Sequence, residues 1–163
     1  MKPIVLALAL LALAACGPNK KAAESLGAAN AFLATNTKTA GVVTLPSGLQ
    51  YKIVRSGPAS GTKPHAGDEV KVHYEGKLLD GTVFDSSYER GVPAAMPLDA
   101  LIPAWIEALQ LMRPGDEWVL YVPPALGYGE EGAGGGQIPG NSVLIFRIEL
   151  ISVLPGPGSI AQG

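Results

Sequence analysis

The stretch that decides the fold reads DEVKVHYEGKLLDGTVFDSS and runs from residue 68 to residue 87. Apolar residues alternate with polar ones in its first half, so that Val70, Val72 and Tyr74 share one face, as a half-buried strand requires. Asp80-Gly81 is a strong signal for a tight turn, and the Thr-Val-Phe sequence that follows it has the composition of a second strand. The stretch therefore predicts an antiparallel hairpin.

Further strands are predicted on both sides of this hairpin, together with one convincing helix. The helix is short and amphipathic; Asp99 can cap its beginning, and Pro114-Gly115 follows its end. Such a set of elements predicts an α+β fold, in which a curved antiparallel β-sheet wraps around one short α-helix. The additional strands are predicted in residues 49–53, 118–122 and 143–154.

The N-terminus has the features of an export signal. A basic start is followed by an apolar run in residues 4–15, which is short of the about 20 residues that a membrane-spanning helix needs. Leu13-Ala14-Ala15-Cys16 resembles the lipobox of bacterial lipoproteins, which implies that Cys16 is lipidated and holds the protein at the membrane. Because Gly17 follows the cysteine, the resemblance implies the outer membrane or its periplasmic face in a Gram-negative host. An ordinary secretory signal with a chance cysteine is the alternative.

The sequence divides into a signal peptide (residues 1–15), a tether (16–47), one globular domain (48–154) and a tail (155–163). The tether is rich in small and polar residues, so it is either a short docked helix or a solvated spacer. Its apolar stripe is too small for a dimer interface of standard size, and a monomer is expected. The Pro- and Gly-rich tail is predicted to be disordered.

Composition and motif spacing disfavour several classes of function. The chain has 12 basic and 14 acidic residues, with a formal net charge of −2, and nothing in it suggests a nucleic-acid partner. His65 and His73 are both expected on the surface, and no acidic cluster has the spacing of a metal site. Residues 127–132 match G-x-G-x-x-G, but more glycines follow instead of a helix, so dinucleotide binding is the weakest alternative. No metal or cofactor is expected.

Several motifs, in their order along the chain, resemble those of the FK506-binding-protein (FKBP) type peptidyl-prolyl cis-trans isomerases. The resemblance covers about residues 48–154, and residues 41–51 resemble the start of the catalytic region in the exported macrophage-infectivity-potentiator branch. It implies an enzyme that rotates X-Pro bonds in exported polypeptides, and macrolide inhibitors of the FKBP class as candidate ligands. The motifs are VHYEG (72–76), DGTVFDSS (80–87), LIPAW (101–105), ALGYG (125–129) and VLIF (143–146).

The resemblance also implies a pocket lined by aromatic side chains, with Trp105 as the floor under the substrate proline. The alternative for any one of these aromatics is an ordinary place in the core, but five aromatics together with one Asp favour a lined pocket. The implied catalytic residues are Tyr74, Phe84, Asp85, Trp105 and Tyr128. The implied substrate-binding residues are Arg90, Met96, Leu101, Ile102, Ile138 and Phe146.

A binding module or chaperone with little turnover could use the same pocket, and it is the competing function. The presence of Asp85 favours the enzyme, because a degenerate binder could lose this carboxylate without losing apolar contacts. Three features depart from the family pattern. Met96 replaces an aromatic residue that is usual in this branch, and residues 132–136 make the loop beside Tyr128 unusually rich in glycine. The long dimerising helical region of the branch is represented here by a short tether. We therefore expect a softer pocket wall at Met96.

Overall fold

A computed structural model describes residues 18–156 of the 163-residue chain. The predicted signal peptide, Cys16 and residues 157–163 lie outside the described residues. The described part contains strands β1 (Val42–Thr44), β2 (Gln50–Arg55), β3 (Glu69–Lys77), β4 (Val83–Ser86), β5 (Ala94–Pro97), β6 (Glu117–Val122) and β7 (Leu144–Leu154). Its α-helices are α1 (Pro18–Asn36), α2 (Ser87–Arg90) and α3 (Pro103–Leu109).

The strands form one antiparallel sheet in the order β1-β2-β6-β7-β3-β4, and β5 also pairs with β3. The predicted hairpin is present as β3 and β4. Its turn is built by Asp80, whose side chain accepts a 2.9 Å hydrogen bond from the backbone N–H of Thr82, and by Gly81, whose φ of 87° favours glycine. The hairpin carries the polar end of the candidate site.

The core lies between α3 and the inward face of the sheet. Helix α3 contributes Ala104, Trp105, Ala108 and Leu109, and all four are buried against the sheet. Strand β7 alternates as predicted, because its four inward residues are almost fully buried whereas Arg147 on the other face is exposed. The predicted sheet around one short core helix is confirmed. The inward residues of β7 are Leu144, Phe146, Ile148 and Leu150.

The beginning of α3 differs from the sequence prediction. Asp99 does not cap this helix; it lies in a separate 3-10 turn, Leu98–Ala100, and Ile102 occupies the N-cap position without a side-chain hydrogen bond. The cause is Pro103, since a proline disfavours the helical region for the residue before it. Ile102 accordingly has extended angles, with φ −63° and ψ 151°, and the helix begins at the proline.

Of the two alternatives for the tether, the structure shows the docked helix, which is longer than the short helix considered. Residues 18–36 form the 19-residue helix α1, and β1 adds to the edge of the sheet before residue 48, where we placed the start of the domain. Polar contacts attach the helix, because the side chain of Asn36 donates to Gln50 at 2.8 Å and Gln50 donates to the carbonyl of Leu33 at 2.9 Å. The apolar periodicity of the sequence carries no signal for such polar contacts. In residues 18–156 no helix is long and apolar enough to span a membrane.

The beginning of the tail also differs from the prediction of disorder. The backbone N–H of Gly156 donates a 2.9 Å hydrogen bond to the carboxylate of Asp68, and both residues are buried. A side chain at residue 156 would collide with the carbonyl of Gly67, because a Cβ there would lie 1.8 Å from that oxygen. Residues 155–156 are therefore part of the domain.

Candidate active site

A cavity of about 550 Å³ opens between α3, the β3–β4 hairpin, β5 and the loop that follows Tyr128. Every predicted site residue in the described part lines this cavity except Arg90, which contacts the cavity residues Asp85 and Tyr74. Four further lining residues lie outside the predicted set. The complete lining consists of Tyr74, Phe84, Asp85, Met96, Ala100, Leu101, Ile102, Trp105, Tyr128, Ala133, Gly134, Gln137, Ile138 and Phe146.

Trp105 lies at the centre of an aromatic cluster. Its ring meets the ring of Tyr74 edge to face, with centroids 5.1 Å apart, and meets Phe146 in the same way at 5.2 Å. Phe84 meets Phe146 edge to face at 5.5 Å. Such contacts are the preferred geometry of aromatic pairs. The cluster therefore gives the cavity a fixed apolar base and wall.

Gly76 makes room for two of these rings. A Cβ on this residue would lie 2.5 Å from Phe84 and 2.8 Å from Phe146, closer than carbon atoms can approach. The register of the sheet places Gly76 opposite both Asp85 in β4 and Phe146 in β7. The glycine in the VHYEG motif is thus required by the cavity wall rather than by a turn.

A polar network of three residues lies at one side of the cavity. The phenol of Tyr74 donates a 2.5 Å hydrogen bond to one carboxylate oxygen of Asp85, and the guanidinium of Arg90 bonds the other oxygen. Arg90 also donates to the phenol oxygen at 3.0 Å and lies 5.6 Å from the centroid of the Tyr74 ring. The carboxylate is therefore held in one orientation at the edge of an apolar cavity.

The network shifts the ionisation of its members. Burial raises the pKa of Tyr74, and the hydrogen bond to Asp85 raises it further, so the phenol stays protonated as a donor. Burial would raise the pKa of Asp85, but the hydrogen bonds from Tyr74 and Arg90 hold this pKa below its usual value. The hydrogen bonds to Asp85 and Tyr74 raise the pKa of Arg90. At neutral pH the site thus presents a carboxylate, a neutral phenol and a guanidinium.

The glycine-rich loop forms a further wall of the cavity. Ala133 and Ile138 pair with each other by backbone hydrogen bonds of 3.0 Å in both directions, and Gly134 to Gly136 turn between them with positive φ angles. The side chain of Gln137 reaches across and donates to the carbonyl of Phe84 at 3.3 Å. Ala133, Gly134 and Gln137 are three of the four lining residues outside the predicted set, although Ala133 and Gly134 belong to the glycine-rich loop noted in the sequence.

Two predicted residues form the more open parts of the rim. Met96 lies half-buried in the short edge strand β5, and Tyr128 keeps 39% of its surface exposed at the start of the loop. The fourth lining residue that we missed, Ala100, adjoins Leu101 in the connection to α3. Its small apolar side chain carries no sequence signal that separates a cavity wall from an exposed turn.

Comparison with known proteins places this arrangement in a family. The family model described as FKBP-type peptidyl-prolyl cis-trans isomerase matches residues 60–151, more than half of the chain. A second model, described as the domain amino terminal to that isomerase, matches residues 11–53. This second match includes α1, β1 and part of β2, which the composition alone had assigned mainly to a tether.

The curated relatives are longer than this chain. Peptidyl-prolyl cis-trans isomerase Mip of Coxiella burnetii is 54% identical over 123 residues, which cover 76% of this chain and 52% of that protein. Outer membrane protein MIP of Legionella longbeachae is 50% identical over 135 residues, which cover 83% of this chain and 57% of that protein. The chain spans about half the length of the curated relatives it matches.

Solved structures agree with the fold. FkpA from Escherichia coli superposes with a TM-score of 0.80 at 40% identity, covering 86% of this chain and 64% of the other. A peptidyl-prolyl cis-trans isomerase from Pseudomonas syringae superposes with a TM-score of 0.75 at 38% identity, covering 82% of this chain and 96% of the other. The wrapped sheet and its single core helix are therefore those of this fold family.

Proposed function

The chain belongs to the family of FKBP-type peptidyl-prolyl cis-trans isomerases, and we propose that it accelerates rotation about X-Pro bonds in exported polypeptides. The observation that supports this most strongly is the cavity itself, in which Trp105 forms an apolar base and the Asp85 carboxylate lies on the wall. A pyrrolidine ring matches such an aromatic floor. The proposed activity needs no cofactor.

The chemistry follows from the origin of the rotational barrier. Rotation about a peptide bond costs about 18–20 kcal/mol because amide resonance must be broken. Water stabilises the planar, polarised amide by solvating its carbonyl, whereas an aromatic cavity withholds this solvation. An X-Pro bond bound over Trp105 is therefore expected to lose part of the planar-state stabilisation. Rotation makes and breaks no bond to the protein.

Polar groups at the rim supply the rest of the proposed mechanism. We assign Asp85 an electrostatic role toward the twisted amide, because its orientation is held by Tyr74 and Arg90 before substrate binds. Tyr128 and the backbone of Ile102 are assigned to position the carbonyls that flank the proline. These contacts favour the twisted state over both planar forms, which is the requirement for catalysis. Asp85 is not assigned as a base, because rotation transfers no proton.

A protease-coupled assay with a set of X-Pro peptides tests this proposal. The protease cleaves only the trans peptide, so an isomerase shortens the slow phase in proportion to its concentration. Acceleration that saturates with peptide, and that falls in a Trp105→Ala variant, would support the enzyme. A folded protein that binds proline peptides but leaves the slow phase unchanged would instead support the competing function, a binding module or chaperone.

The site of action and assembly are proposed on separate grounds. We propose a lipid anchor at Cys16, supported by the sequence Leu13-Ala14-Ala15-Cys16 and by a relative named as an outer membrane protein. We propose a monomer because, among the described side chains of α1, only Leu26, Phe32 and Leu33 are large and apolar, too few for a dimer interface of standard size. Macrolide inhibitors of the FKBP class are proposed ligands of the cavity, with a softer contact at Met96.

A further inference from the structure

One edge of β3 has a gap in its backbone pairing. On this edge β5 pairs with residues 69–72 and β4 pairs with residues 75–77. His73 and Tyr74 fall between them and have no partner strand on this edge among the residues that the structure describes. The side chain of Ser87, the first residue of α2, lies in the gap and is fully buried. A side chain thus occupies the place where a strand would be.

The Ser87 hydroxyl completes the ladder at this point. Its Oγ accepts a 2.8 Å hydrogen bond from the backbone N–H of Tyr74 and donates to the carbonyl of the same residue at 3.2 Å. A hydroxyl has one hydrogen and two lone pairs. The remaining lone pair is then free to accept from Nδ1 of His73, which lies 2.9 Å away. With this assignment His73 carries its proton on Nδ1, and Ser87 makes every hydrogen bond open to it.

Residues on the other face of the sheet, away from the cavity, also contact helix α2. Adjacent strand residues point to opposite faces, so His73 projects away from the cavity that Tyr74 lines. Its ring stacks on Tyr88 with centroids 4.7 Å apart and an angle of 14°. The guanidinium of Arg147 lies 5.1 Å from the Tyr88 centroid, and its Nε donates to Glu117 at 2.5 Å. Helix α2 is therefore attached to β3 on both faces of the sheet, by Tyr88 against His73 on this face and by Arg90 with Tyr74 on the cavity side.

We infer that Ser87, with His73 as its hydrogen-bond donor, is the positioning residue for the three polar groups of the cavity. Ser87 lies between Asp85 and Arg90 in the sequence, and it bonds the backbone of Tyr74. All three members of the polar network are thus held in place through the hydroxyl of Ser87. The inference rests on the proposed function, since these groups are the ones assigned to act on the X-Pro bond. Ser87 itself is fully buried and does not line the cavity.

The position of Ser87 predicts a specific defect when its hydroxyl is removed. The N–H and carbonyl of Tyr74 would lose their partner inside the protein, where unpaired groups are costly, so strand and helix turn would move apart to admit water. The phenol of Tyr74 and the guanidinium of Arg90 would then no longer meet Asp85. The apolar lining of the cavity does not depend on Ser87. The loss is therefore expected in kcat, with KM little changed.

Ser87→Ala tests this expectation, and Gln50→Ala is the matched control. Gln50 is also buried and its side chain bonds Asn36 and the carbonyl of Leu33, but it lies outside the cavity lining. For Ser87→Ala we expect kcat to fall about tenfold while KM stays within about twofold. The pKa of the Asp85 carboxyl, followed by carbon NMR, should rise toward its usual value of about 3.9. The control should change neither kcat nor this pKa.

The NMR titration separates positioning from general loss of stability, because a folded protein with an intact network keeps its carboxyl pKa whatever its stability. Unchanged kcat and unchanged Asp85 pKa in Ser87→Ala would overturn the inference. If Ser87→Ala does not fold, His73→Phe is the second test, since it keeps a ring against Tyr88 and removes the ring nitrogens, among them the Nδ1 that bonds Ser87. A fall in kcat of about threefold would support the inference, and wild-type kcat would overturn it.

Failure of the proposed function would look different. A wild-type protein without isomerase activity would refute that function, whereas the Asp85 titration would still test the positioning by Ser87. An active wild type with an active Ser87→Ala variant would refute only the positioning.

Discussion

Replacing Asp85 by Asn separates electrostatic catalysis from binding in the cavity. The substitution keeps the shape of the side chain and removes one negative charge. The phenol of Tyr74 and the guanidinium of Arg90 both bond this carboxylate, so the change acts on the centre of the polar network. The aromatic base formed by Trp105 and Phe146 is not altered. Binding of a proline peptide should therefore weaken less than turnover.

The expected loss of stability is small. A hydrogen bond to a charged group contributes about 1.5–3 kcal/mol when it is well shielded from water. Here the side chain of Asp85 is 40% exposed and that of Arg90 is 47% exposed, so solvent screening lowers the contribution of the ion pair. Asn also retains one acceptor oxygen. We expect the free energy of unfolding at pH 7 to fall by about 1 kcal/mol.

The pH dependence of this loss has a definite sign. The pKa of Asp85 is lower in the folded protein than in the unfolded chain, mainly through its hydrogen bonds to Tyr74 and Arg90, which outweigh the effect of burial. Its stabilising contribution is therefore complete above the unfolded-state pKa of about 3.9 and is lost as the pH falls through the folded-state pKa. The stability difference between wild type and Asp85→Asn should thus be present at pH 7 and disappear in acid.

Kinetics on the same variant test the catalytic role. If the carboxylate stabilises the twisted amide, kcat/KM should fall at least about tenfold, which corresponds to about 1.4 kcal/mol of lost transition-state stabilisation. Asp80→Asn is the control, because it makes the same charge change at the exposed hairpin turn. A variant that is about 1 kcal/mol less stable remains almost entirely folded, so unfolding cannot mimic this loss. Full activity in Asp85→Asn would refute the assigned role.

Four further predictions concern the cavity, the anchor and the assembly. Trp105→Ala should lower the free energy of unfolding by about 3–5 kcal/mol, measured by denaturant titration, and should abolish peptide binding; a stable variant that still binds would contradict the assigned floor. Gly76→Ala should cost about 1–3 kcal/mol and raise KM, because its Cβ would displace Phe84; wild-type kinetics would show that the rings can adjust. Cys16→Ser should lose both lipid labelling and membrane fractionation, and equal behaviour of both forms would refute the anchor. Light scattering at micromolar concentration should give a monomer mass, and a stable dimer would refute that prediction.

The fold could be predicted from sequence wherever local patterns coincide with tertiary structure. The hairpin at Asp80-Gly81 and the long strand β7 follow from turn residues and strict alternation, and both are confirmed. Elements defined by other contacts were missed, as for β5, or left between two alternatives, as for α1. Strand β5 has four residues with no alternation of polarity, and α1 is attached by buried amides such as Asn36 and Gln50. Polar contacts of this kind depend on distant partners, which a local pattern does not contain.

The candidate site was predicted mainly through the family resemblance. Aromatic residues carry a strong signal because the family motifs contain them, and the structure brings Tyr74, Phe84, Trp105 and Phe146 together in one cavity. The roles assigned to these residues stay predictions. Ala100 and Gln137 were missed, because they line the cavity only through the course of the backbone.

The contacts of His73 with Ser87 and Tyr88, which support the site, could not be predicted from sequence either. His73 was expected to be a surface residue, yet it is half-buried, hydrogen-bonded to Ser87 and stacked on Tyr88. Its role depends on a gap between β4 and β5 along the edge of β3. Such a gap exists only once the sheet has formed, and no local spacing of residues in the sequence predicts it.

The most direct test of the proposed isomerase activity is the rate of cis-trans exchange in an X-Pro peptide at equilibrium, measured by NMR exchange spectroscopy with catalytic amounts of the protein. The uncatalysed exchange takes tens to hundreds of seconds at 25 °C, so any catalysis is readily detected. An isomerase with a catalytic Asp85 should give exchange cross-peaks that report a rate that grows with protein concentration and falls strongly in Asp85→Asn. Shifts of peptide resonances that report binding, without any increase in the exchange rate, would contradict the proposed activity.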